Sequence, residues 1–188
     1  MRAWWFPDNT VLCNFAAVGR LDALEKILDR RGRWTEAVAL EARRSARHLP
    51  DLDGVFTGGW LGDPVEIERA ADVRRVETLR RAVFGGHRAR PLQHLGEAQT
   101  CHVIEQWDAF HGSRWITDDR EAYRYAVRRG ITAYQTMDLV RIAVPRGILS
   151  APEGYELLTA MREAGRRLHH FPAGPEDLLR RSARRGER

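Results

Sequence analysis

The chain has 188 residues, 43% of them apolar, and a formal net charge of +5. That length suits one domain with a short appendage, and no apolar run approaches the ~20 residues of a membrane-spanning helix. The opening MRAWWFPDNT turns polar too early for a secretory signal, so the expectation is a soluble, cytoplasmic protein. Cys13 and Cys101 lie far apart in apolar runs, which fits neither a disulfide framework nor a clustered zinc site and predicts two buried free thiols. Of the 31 lysines and arginines, all but Lys26 are arginine. Planar guanidinium groups bind phosphate in bidentate fashion, so the basic surface favours a polyanion such as nucleic acid.

Taken in chain order, AWWF is a short bulky run ending at Pro7 and Asp8, and reads as a buried first strand. In NTVLCNFAAVGRLDALEKILDRRG, Leu21, Leu24, Ile27 and Leu28 have helical spacing and Gly32 is the stop. WTEAVALEARRSARHL predicts a second helix with Thr35 as its cap. PDLDGVFTGGWLGDP is rich in glycine, proline and aspartate and reads as a loop around a short strand or turn. A helix or helix pair over PVEIERAADVRRVETLRRAVFGG follows, then one over HLGEAQTCHVIEQWDAFHG that ends at Gly112. RWIT is a strand, DDREAYRYAVRRGI a helix with Asp118 or Asp119 near its cap, and TAYQTMDLVRIAVPRGIL a strand, turn and helix. SAPEGYELLTAMREAGRRL is the last long helix, and RRSARRGER a loose basic tail. Strands alternating with helices predict an α/β fold, a short parallel sheet flanked by helices in three layers.

Ligands of such sheets bind beyond the carboxyl ends of the strands. Asp8 and the pair Asp118-Asp119 each directly follow a strand, and Glu97 opens the helix that leads into the strand before Asp118. Glu41, or Glu36 beside it, sits in a helix that can cover the same edge. Each residue has an ordinary explanation: an aspartate cap, a first-turn glutamate that complements the helix dipole, a solvated helix face. Their convergence on one edge is less ordinary, because packed carboxylates repel until a cation joins them. Oxygen ligands without a His or Cys cluster suit Mg²⁺ or Mn²⁺, and one ion can activate water while a second stabilises the leaving oxygen of a phosphodiester.

These stretches resemble the PIN-domain family. FPDNTVLCNFAAVGRLDALEKIL looks like its opening strand, aspartate and apolar helix; LGEAQTCHVI is similar to the Gly-Glu-Ala segment of one bacterial and archaeal branch; RWITDDREAYRYAVRRGITAYQTMDLV resembles that branch's Asp-Asp-Arg turn and following helix and strand. The matching segments run from about Trp4 to Leu168, giving an expected PIN-like domain over 1–170 and a basic tail over 171–188. The resemblance implies catalytic carboxylates at Asp8, Glu41, Glu97 and Asp119 and a Mg²⁺ or Mn²⁺ site at Asp8, Glu97, Asp119 and Asp118. Glu41 is preferred to Glu36 because VALE matches the family's Val-x-x-Glu pattern, and the hydroxyls of Thr10 and Thr117 are candidate supports. Two departures stand out: RRGRW is short and basic where the family has a longer apolar strand, and the segment from His48 to Arg90 is long enough for a substrate clamp, a dimer arm or a partner surface.

The activity implied is a metal-dependent endoribonuclease, the toxin of a toxin–antitoxin pair, with RNA as substrate, a small antitoxin and a second copy as partners, and no membrane. A non-catalytic module that holds RNA or protein is the alternative. A phosphatase or receiver-like domain fits less well, since it needs a lysine late in the chain and Lys26 is the only one.

Overall fold

A computed structural model describes residues 3–179. Three short parallel strands, β1 (Trp5–Pro7), β2 (Arg114–Ile116) and β3 (Thr132–Tyr134), form one sheet in the order β1-β2-β3. Trp5 pairs with Arg114, which in turn pairs with Thr132. The helices are α1 (Asn9–Ala16), α2 (Leu21–Leu28), α3 (Glu36–Ala46), α4 (Asp53–Gly58), α5 (Ala70–Ala82), α6 (Leu95–Gln106), α7 (Arg120–Arg128), α8 (Thr136–Ala143) and α9 (Ala151–Glu163).

The strands divide the core by simple alternation, since successive side chains of a strand face opposite sides. Trp5 and Ile116 pack with α1, α2, α3, α8 and α9. Phe6 and Trp115 face the other way, into a second core with α5, α6 and α7. The result is the three-layer α/β arrangement expected. Both cysteines are buried and free. No helix among the described residues is long and apolar enough to cross a membrane.

Several local expectations are revised. The first apolar helix is two, broken where Gly19 adopts φ 65°. Thr35 occupies the N-cap of α3, but its buried hydroxyl makes no capping bond. The Gly- and Pro-rich stretch contains a 3₁₀ turn over Pro50–Leu52 and then α4, held by the fully buried Leu52, Val55 and Leu61. In RRGRW, Gly32 makes only an isolated bridge to Trp5, so no further named strand forms there among the described residues. A β-carbon on Gly32 would press on the Leu61 side chain, which would have to shift to admit it. In the long middle segment, α5 packs along α6.

The segment from residue 171 begins packed. The Phe171 ring meets Tyr155 edge-on, and a 3₁₀ turn over Pro175–Leu178 buries Leu178 against Gly154 of α9. The basic run from residue 180 lies outside the described residues.

Candidate active site

The parallel pairing of β1 and β2 carries past the end of the sheet. The Asp8 N–H donates to the Ile116 carbonyl at 2.9 Å, which sets Asp8 beside Thr117, and the Thr117 hydroxyl donates to Asp8 Oδ2 at 3.1 Å. Asp8 is the N-cap residue of α1, yet its carboxylate makes no capping bond and is only 6% exposed. The ordinary capping explanation therefore does not account for it.

Glu41, near the middle of α3, reaches the N-terminus of α6, where it accepts a hydrogen bond from the Gly96 N–H. Gly96 permits that approach: a β-carbon there would lie 3.3 Å from both Glu41 carboxylate oxygens and 3.2 Å from Val38. Glu97 follows in the first turn of α6, with Oε1 3.2 Å from Nδ1 of His94. His94 is a contact that sequence reasoning missed; its φ of 58° at the N-cap of α6 turns the ring back toward Glu97, and nothing in the local sequence signals that turn.

Electrostatically these three carboxylates form one group. Burial, then the charges of Glu97 and Glu41, hold the Asp8 carboxyl well above the usual carboxylate range, against the bonds it accepts from Thr117 and the Asn9 N–H. Burial, then the Glu97 charge, pushes Glu41 up to about 7. Among the described residues no lysine or arginine forms an ion pair with Asp8, Glu41 or Glu97. The acidic charge is concentrated, with Arg44 acting on Glu41 only from a distance.

The Asp-Asp pair divides. Asp119 caps α7, its Oδ1 accepting from the Ala122 N–H at 2.7 Å, while its own N–H donates to the Thr117 hydroxyl at 3.2 Å. A continuous path thus runs from Asp119 through Thr117 to Asp8. Asp118 is buried and turned the other way. Its carboxylate accepts from Asn14 Nδ2 at 2.8 Å and from the Thr136 N–H and hydroxyl at 3.0 and 2.5 Å. Arg166 braces Asn14 through a 2.8 Å bond, and Nε2 of His169 lies 3.0 Å from the Asp118 carbonyl. These partners are more than 100 residues from Asn14 or about 50 from Asp118, so no local signal announces them. A carboxylate with three donors has little capacity left for a cation. Glu36 is exposed and accepts from Gln99 Nε2, and the Thr10 hydroxyl makes no hydrogen bond among the described residues.

The donor set fits a hard divalent cation in its chemistry, all anionic oxygen, partly desolvated and without a cationic side-chain partner. As the side chains stand, no group of three or more His, Cys, Asp or Glu among the described residues is arranged to hold a metal ion. The reason is visible in the bonds: Glu97 is drawn toward His94 and Glu41 toward the Gly96 N–H.

The candidate site is thus a short parallel sheet with acidic side chains at its carboxyl edge. The chain belongs to the PIN-domain family: residues 5–172 match the family model DUF3368, described as a PIN domain. PIN domains are generally nucleases and typically use divalent metals. No curated protein and no solved structure matches the chain significantly.

Proposed function

We propose that this PIN domain is a Mg²⁺- or Mn²⁺-dependent endoribonuclease. The observation that carries the reading is the mutual electrostatic influence of Asp8, Glu41 and Glu97 beside the strand ends, with no lysine or arginine in contact among the described residues. Asp8, Glu97 and Asp119 would hold the ion, with Asp118 acting through the position of the α7 N-terminus. Bound there, a divalent ion supplies Lewis acidity toward the phosphodiester and lowers the pKa of water. Thr117 fixes the direction of Asp8 through its hydroxyl, and its bond from the Asp119 N–H ties the two aspartates to one geometry. Glu41, pushed up to about 7, is suited to take a proton from the attacking water near neutral pH. The basic surface attracts the RNA backbone while the acidic cleft repels it until a cation is present.

The toxin reading adds a partner to this site. A small antitoxin that inserted an arginine among the three carboxylates would neutralise them and exclude the cation. The test of the enzymatic reading is a folded Asp8→Asn variant assayed on single-stranded RNA in Mn²⁺. Cleavage should fall at least about 100-fold, the loss usual for removing one electrostatic stabiliser. Cleavage at the wild-type rate overturns the assignment of Asp8.

The engagement of Glu97 by His94 favours one other reading, a non-catalytic module that binds RNA or protein on this fold. Titration with Mn²⁺ separates the two.

A further inference from the structure

The acidic edge is not where the arginines collect. Arg120, Arg124 and Arg128 recur every four residues along α7, and all three are exposed. Residues four apart share a helix face, and the step between them is about 6 Å of helix rise, comparable with the step between phosphates of an extended single strand. The row starts next to Asp119 and ends at Arg128, beside Arg129 at the end of the helix. There a shallow groove of about 510 Å³ opens between α5 and the ends of α6 and α7, lined by Arg74, Arg75, Arg129 and Tyr125, with Glu105 as its one carboxylate.

Charge and shape on this face agree. Among the described residues Arg74, Arg75, Arg120 and Arg128 form no ion pair, so their guanidinium groups are available. Arg124 pairs with Glu121 at exposed positions, where such pairs are weak, whereas Arg129 is held by the largely buried Glu105. Tyr125 is half-buried and braced edge-on by Phe84, which gives the groove a fixed aromatic face beside its arginines. Arginines that follow a backbone, with an aromatic platform for a base, are the ingredients of single-strand binding.

We propose that this face is a track for single-stranded RNA. Arg120, Arg124 and Arg128 hold successive phosphates leading away from Asp119, and the groove of Arg74, Arg75 and Tyr125 receives the strand. The choice of RNA rests on the ribonuclease reading of the cleft; the track itself does not.

The test is fluorescence anisotropy with a labelled single-stranded oligouridylate of about 15 nucleotides, the full-length chain and excess EDTA, over a range of salt concentrations. Variants Arg124→Gln/Arg128→Gln and Arg74→Gln/Arg75→Gln should each lose about tenfold in affinity, and the slope of log affinity against log salt should become shallower by about 1.4, as for two lost single-strand phosphate contacts. A control pair across the sheet, Arg20→Gln/Arg30→Gln, should leave both nearly unchanged. Equal weakening in the control, or wild-type affinity and slope in both track variants, overturns the proposal. So does unchanged RNA binding combined with lost self-association in sedimentation, which would assign the face to a second copy. Neither metal nor cleavage enters the measurement, so it fails or succeeds independently of the Asp8→Asn assay.

Discussion

Thr117 shows how much one small side chain organises here. Its hydroxyl accepts from the Asp119 N–H and donates to Asp8, so a single oxygen couples the ends of two strands and the start of α7. The neighbouring aspartates then separate by partner rather than by charge. Asp118→Ala would strip the acceptor from Asn14 and Thr136 inside the core, and a loss of about 3 kcal/mol is expected for unsatisfied buried donors. Asp119→Ala removes a cap, worth about 1 kcal/mol, yet should lose RNA cleavage much more completely. Thermal unfolding and a cleavage assay on the two variants check this inversion; similar destabilisation by both contradicts it. Asp8 and Glu97 were legible from their place beside a strand and at a helix start. The role of Asp118 was not, because Asn14, Thr136 and Arg166 reach it only through the fold.

At the scale of elements, the sheet and the long helices were readable because their periodicity is strong and their caps are local, as with Ser150 and Glu153 at the start of α9. The glycine-rich stretch hid α4, since the buried spacing of Leu52, Val55 and Leu61 is interrupted by residues that usually mark loops. The contact between α3 and α6 gives Gly96 a specific meaning. In Gly96→Ala the new methyl meets both Glu41 oxygens, so Glu41 must move. Helix propensity favours alanine by up to about 1 kcal/mol, which should offset the strain and leave the melting temperature within a few degrees. Mn²⁺ affinity should nevertheless fall several-fold in calorimetry. Wild-type affinity would show that the Gly96–Glu41 contact does not shape the site.

Over the whole molecule, the chain past residue 170 belongs to the packed body as far as Leu178. Leu178→Ala should cost about 2 to 4 kcal/mol, measured by chemical denaturation, as for other buried leucines. A change below about 0.5 kcal/mol would mean that this segment contributes nothing. The carboxylate cluster also sets a pH dependence. With Glu41 pushed from an ordinary 4.5 up to about 7 and Asp8 raised too, the folded chain keeps protons that the unfolded chain has released. Stability without divalent cations should therefore fall as pH rises from about 4.5 to about 7, by at most about 3 kcal/mol from Glu41, with Asp8 acting in the same direction. Melting temperatures in EDTA across that range check the sign, and a rise with pH attributable to these groups contradicts it. The central claim, that the clustered carboxylates beside the strand ends bind a divalent cation, is tested most directly by calorimetric titration of wild type and Asp8→Asn with Mn²⁺ near pH 7. Wild type should give binding heat, accompanied by proton release as Glu41 ionises, and Asp8→Asn should lose it. No heat and no thermal stabilisation in wild type would contradict it and leave the non-catalytic binding module as the better description.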